Sequence, residues 1–323
     1  MMGMSRCALA LFVASVAFAQ PASRTFHLTT VTTAKGLNEV ATILRTVGDM
    51  KQIHADDATF DITVSDGDLD LAAWIVKQVD TEEPKPAQYE IPGTGDVVRV
   101  LCTAHSAMPA MLNELVTSLR TVADIQRIFT YNATYAILIR TTAAKADLAT
   151  WLVKQLDTAP DDQTRWQLHQ YQNPDPRAPV VRVIYLVHSS FGPNLNEILT
   201  NIRVIADVQK IFSRTPSQGI VFATTPEQAK LADWLIQQLD VLPDSQMRAT
   251  QHEYPIPGAT GDVARIYYLK SSDTSAQLNE MAVAMRSETQ VRKIFTCTQP
   301  RALALRGTSD AMEIADRLIK QRD

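Results

Sequence analysis

One unit is written four times in this chain, and a chain that repeats a unit of about 80 residues folds as a row of similar modules rather than around one large core. The segment VVRVLCTAHSAMPAMLNELVTSLRTVADIQRIF, starting at Val97, aligns without a gap on VVRVIYLVHSSFGPNLNEILTNIRVIADVQKIF, starting at Val180. Carried on to Asp157 and Asp240, the two are identical at 27 of 61 positions. The same 83-residue step leads to VARIYYLKSSDTSAQLNEMAVAMRSETQVRKIF, and a more divergent copy opens with RTFHLTTVTTAKGLNEVATILRTVGDMKQI. A Leu-Asn-Glu triplet marks every copy, ending at Glu39, Glu114, Glu197 and Glu280.

Within the second copy, residues 97 to 104 are rich in Val and Leu and read as a strand. Leu112, Leu115, Val116 and Leu119 recur at helical spacing, and Leu195, Ile198, Leu199 and Ile202 keep that apolar face in the third copy. Ile125 to Thr130 and Tyr135 to Thr141, separated by polar turn residues, predict a hairpin, and residues 143 to 157 a closing helix. Each copy therefore predicts β-α-β-β-α, an α+β module whose small mixed sheet is covered by two helices. The expected boundaries are 20–82, 88–158, 163–241 and 247–323. Proline-rich joints separate the copies, at Pro84 to Pro86, Pro174 to Pro179 and Pro255 to Pro257. Arg165 to Tyr171 and Met247 to Tyr254 alternate enough to add an edge strand that locks neighbouring copies together.

Residues 1–19 predict a signal peptide. An apolar run from Cys7 to Ala19 ends in Ala17-Phe18-Ala19, too short for a membrane span and matched to a peptidase site. A periplasmic or secreted protein is expected, with no transmembrane segment after cleavage. The mature chain keeps Cys102 and Cys297, in different copies, with no histidine cluster beside them. The net charge of -4 argues against a nucleic-acid partner, which calls for a basic stripe.

A strand beginning Val-x-Arg-Val, a helix, a strand pair and a last helix ending Lys-Gln-Leu-Asp resemble the small periplasmic N-domains that precede the barrel of bacterial secretins, seen also in short form near some TonB-dependent receptors. The resemblance rests on Val98 to Thr103, Leu112 to Arg120, Ile125 to Thr141 and Leu148 to Asp157, and on their counterparts at 181–240 and 264–323. It implies modules that pack on one another or on partner proteins, without catalysis. The fourth copy runs to Asp323, so no secretin barrel and no pore are expected of these residues.

The candidate residues are repeated ones. Arg24, Arg99, Arg182 and Arg265 on the first strand and Glu39, Glu114, Glu197 and Glu280 on the first helix are expected to form structural polar pairs across the helix-sheet junction. Arg45, Arg120, Arg203 and Arg286 near the end of that helix complement its dipole. Trp74, Trp151 and Trp234 share one position on the closing helix, where the fourth copy has Arg317. Val79, Leu156 and Leu239 likewise become Arg322. That substitution at the last copy predicts that this helix edge, with Trp166 in the joint, packs between modules, and that the terminal copy is a solvated cap. His105 and His188 read as local hydrogen-bonding residues of a loop at the start of a helix. No nucleotide loop, nucleophile elbow or zinc motif is present, so no catalytic, cofactor-binding or metal-ligating residue is expected. The function expected is that of an exported, noncatalytic interaction or scaffold protein of the cell envelope, binding partner proteins or self-associating. The alternative is a receptor-like array for a peptide, glycan or envelope polymer.

Overall fold

The computed structural model describes residues 23–158, 167–189, 192–215, 217–242, 250–258, 261–272 and 274–323. These form four tandem β-α-β-β-α modules. The first is β1 (Arg24–His27), α1 (Ala34–Thr46), β2 (Ile53–Asp56), β3 (Asp61–Val64) and α2 (Leu69–Val79). The second is β4 (Ala87–Glu90), β5 (Asp96–Cys102), α3 (Pro109–Val122), β6 (Arg127–Tyr131), β7 (Ala136–Thr142) and α4 (Ala143–Leu156). The third is β8 (His169–Gln172), β9 (Val180–Tyr185), α5 (Gly192–Ile205), β10 (Lys210–Arg214), β11 (Gly219–Thr224) and α6 (Pro226–Leu239). The fourth is β12 (Gln251–Pro255), β13 (Asp262–Tyr268), α7 (Ser275–Glu288), β14 (Lys293–Cys297), β15 (Ala302–Thr308) and α8 (Ser309–Arg322).

The first sheet has three strands in the order β1-β3-β2, and the other three follow the patterns β4-β5-β7-β6, β8-β9-β11-β10 and β12-β13-β15-β14, all antiparallel. The extra strand in each comes from the joint and pairs with the first strand of the following module. Ala87–Glu90 is such a strand although the sequence reading makes it part of a proline-bounded joint; flanking prolines cap a four-residue edge strand without interrupting it.

The central strands are buried on both faces, which is why they read as nearly continuous apolar runs. Val97 and Leu101 of β5 face their own helices, whereas Val98 and Val100 join the core of the first module. In the third module Val181, Val183 and Tyr185 join the core of the second, and in the fourth Ala264, Ile266 and Tyr268 join the core of the third. The helix layer of each module thus lies on the far sheet face of the next, α1 against β6, α3 against β10 and α5 against β14.

Local chemistry sets the element ends. Thr225 with Gln228 and Thr274 with Gln277 make capping boxes at the starts of α6 and α7. Each hairpin turn places the same repeat position, Phe60, Tyr135, Gln218 or Arg301, in the left-handed region. At the far end of every second helix stands an aspartate that accepts backbone N–H groups from the loop after the first strand. Asp80 holds Thr29 and Thr30, Asp157 holds Ala104 and His105, Asp240 holds Val187, His188 and Ser189, and Asp323 holds Lys270 and Ser271. His105 and His188 thus contribute through their main chain. Cys102 is half-buried, Cys297 is buried, and neither is in a disulfide.

Candidate functional site

Repeated polar side chains converge on the seams between modules. At the first seam, Glu39 accepts from the backbone N of Asn132 at 3.0 Å and from its Nδ2 at 2.7 Å. At the third, Glu197 accepts from Thr298 N and Oγ1, both at 2.7 Å. At the second, the guanidinium of Arg214 enters from β10 with only 2% of the side chain exposed. It donates to Leu156 O and Met111 O at 2.8 Å and to Ser106 Oγ at 2.6 Å, and lies 3.9 Å from Glu114. Burial pulls the Arg214 pKa down, opposed by Glu114, Asp157 and Tyr185. The equivalent positions at the other seams are Tyr131, whose hydroxyl burial beside Glu39 pushes up to about 12, and Cys297.

The expected pairing of the strand arginines with the Leu-Asn-Glu carboxylates does not occur. Glu39, Glu114 and Glu197 point away from their own sheet toward the next module, and the arginines point inward to the second helix. Arg99 donates to Asp147 and Thr150, Arg182 pairs with Asp233, and Arg265 with Asp316. Arg24 lies 4.0 Å from Asp70. Each of the three inner arginines also donates through Nε to the added edge strand, Arg99 to Gln88 at 2.8 Å, Arg182 to Gln170 at 3.0 Å and Arg265 to Glu253 at 2.8 Å. Arg120, Arg203 and Arg286 donate to a carbonyl of the neighbouring strand, at Ile128, Ile211 and Ile294.

The tryptophans meet tyrosines of the following module's edge strand. Trp74 and Tyr89 are 5.7 Å apart between ring centroids, Trp151 and Tyr171 5.3 Å, and Trp234 and Tyr254 5.4 Å. Val79, Leu156 and Leu239 are buried. Trp166 lies outside the described residues. The first and third seams also carry ion pairs, Asp49 with Arg127 and Asp207 with Lys293 and Arg306.

The two ends of the stack differ from its seams. On the free face of the first sheet, Thr25 bonds Thr63 and His27 bonds Asp61, where β5 and β7 carry Val100, Leu138, Cys102 and Ala136. On the last helix layer, Arg322 pairs with Glu288. The first stands at the position of Val79, Leu156 and Leu239, and the second at that of Val47, Val122 and Ile205, all buried in the earlier modules. Glu280 is exposed, beside Val283 and Arg322.

A cavity of about 550 Å³ opens in the second module between β4, the end of β5 and α4, lined by Ala87, Leu101, Cys102 and Val153 with Arg99 and Lys154 at its rim. In the third and fourth modules His169 stands edge-on to Tyr185 and His252 to Tyr268 at the positions that Ala87 and Cys102 hold. Among the described residues no cluster of three or more His, Cys, Asp and Glu could hold a metal ion, and no helix is long and apolar enough to cross a membrane.

No family model matches the chain, and no curated protein matches it. Among solved structures it is similar to Aeromonas hydrophila ExeD at 13% identity, covering 88% of this chain and 58% of that one with a TM-score of 0.17. It is similar at 10% identity, with the same coverage and TM-score, to the pilotin-secretin AspS-GspD complex of ETEC. It is also similar to XcpQN012 at 13% identity, covering 69% of this chain and all of that one with a TM-score of 0.23. The chain spans a little over half the length of the first two.

Proposed function

We propose that the chain is a noncatalytic, extracytoplasmic scaffold whose four modules form one continuous stack that presents binding surfaces to partner proteins. One observation carries this reading: charged side chains at all three seams are committed to bonds between one module and the next. Glu39 and Glu197 hold the hairpin turns of the following modules, Arg214 plugs the second seam, and Asp49 and Asp207 neutralise cations across theirs. A charge committed to a partly dry seam gives geometric register rather than reactivity. Export is supported by the predicted leader at residues 1–19.

The second reading, a receptor-like array for a peptide, glycan or envelope polymer, is favoured by the apolar cavity beside Leu101 and Val153 with its two cations. Crosslinking in the native envelope or secreted fraction separates the two. The scaffold reading expects defined protein adducts in constant ratio to the chain. A chain recovered without protein adducts, together with saturable binding to a peptide or glycan panel, contradicts it.

A further inference from the structure

Among the described residues the sheet of the first module has no counterpart of the edge strand that the other three possess. In those three, an extended segment pairs antiparallel with the first strand and sets an acceptor side chain opposite its arginine, Gln88 against Arg99, Gln170 against Arg182 and Glu253 against Arg265. The acceptor precedes its arginine by 11 or 12 residues. At that spacing before Arg24 the sequence has Val13 and Phe12, neither of which can accept a hydrogen bond through its side chain. Among the described residues β1 has a strand partner on one side only, β3. Arg24 retains about half of its side-chain exposure, over the Phe26 ring and 4.0 Å from Asp70.

We propose that the outer edge of β1 is a docking site for an extended segment of a partner protein, added antiparallel with a Glu or Gln side chain opposite Arg24. This deepens the scaffold reading, on which it rests, by naming where a partner engages and by what chemistry. The main-chain ladder supplies affinity and the arginine fixes register, as in strand addition generally. Continuity with the three internal pairings supports β1 over the remaining edges. Among the described residues the outer edges of β2, β6, β10 and β14 have no added strand, and Pro86 and Pro92 flank β4, Pro174 follows β8 and Pro255 ends β12, the usual protection of an edge against pairing. β1 contains no proline, and Pro21 lies three residues before it.

The probe is a synthetic peptide with the sequence of residues 250–258, Thr-Gln-His-Glu-Tyr-Pro-Ile-Pro-Gly, titrated into the chain from residue 20 to 323. Amide hydrogen exchange and NMR of Arg24 to His27 locate the binding. Protection gained in β1, an at least tenfold loss of affinity with Arg24→Glu, and recovery when the peptide carries Arg in place of its Glu are expected. Arg24→Gln, which removes the charge without reversing it, is expected to fall between the two. Saturation at another edge, binding indifferent to Arg24→Glu, or no binding at millimolar peptide overturns the proposal. In each of those cases protein adducts from native crosslinking still support the scaffold reading, so the two fail separately.

Discussion

Replacing Arg214 with Met tests the second seam at its most buried charge. The side chain crosses from β10 into the second module and donates to two main-chain carbonyls, Leu156 O and Met111 O, and to Ser106 Oγ. Methionine restores most of the volume but no donor. Ser106 keeps its bond to Asp157 and Met111 O keeps its place in the α3 ladder, so the group left without a donor is Leu156 O, costing about 1–3 kcal/mol when buried. Glu114, 32% exposed, can take up water once its cation is gone, and relief from desolvating a guanidinium offsets part of the loss. The net expectation is a destabilisation of about 2 kcal/mol, roughly thirtyfold in the opening equilibrium of that seam. Urea unfolding monitored by hydrogen exchange reads it as lost protection in the second and third modules. Arg203→Met, which gives up a single bond to Ile211 O within its own module, is the control and should cost less than about 1 kcal/mol. A change below that value for Arg214→Met, or an equal loss in all four modules, refutes the argument.

Acid should weaken the clamp that Asp80 makes in the first module. Burial raises the Asp80 pKa, but the N–H and hydroxyl donors of Thr29 and Thr30 outweigh it and leave the carboxyl below its ordinary value. Its contribution is therefore complete above pH of about 4 and lost as pH falls through the lowered value, and Asp80→Asn should flatten that dependence in the exchange of the Thr29 and Thr30 amides. Trp234→Arg, which copies Arg317, should cost about 2 kcal/mol through the half-buried Tyr254 contact and uncouple the fourth module more than it unfolds the third. Equal destabilisation of the isolated third module would contradict that. Burial raises both thiol pKa values, so alkylation followed by mass spectrometry should label half-buried Cys102 before buried Cys297, and the reverse order would count against the packing of β14 on the third module's core.

The module pattern was legible because its signals are periodic: the apolar face of α3 and α5, the hairpin and the closing helix recur at one spacing. The seams were legible only on one side. Glu39, Glu114 and Glu197 repeat, but what they face is Asn132, Arg214 or Thr298, at two adjacent repeat positions whose chemistry changes from copy to copy, so repetition pointed to the arginines within each module instead. Asp80, Asp157, Asp240 and Asp323 also repeat, yet their partners are main-chain N–H groups, which every residue supplies and no sequence displays. The substitutions toward Arg317 and Arg322 carried more information, since a cation in place of a buried aliphatic group signals exposure directly. Its partner Glu288 lies on a different helix, 34 residues away, and only the fold brings the two together.

Stacking of each helix layer on the next sheet is tested most directly by a zero-length crosslink. Asp207 follows α5 of the third module and contacts Lys293 on β14 of the fourth, with both side chains partly open to solvent. Carbodiimide coupling followed by peptide mass spectrometry should join residues 207 and 293 within one chain. Lys145 and Asp124, 3.6 Å apart inside the second module, provide the internal reference. A 207–293 product at a yield comparable to the 124–145 product is the predicted result, whereas formation of 124–145 alone would contradict the stack.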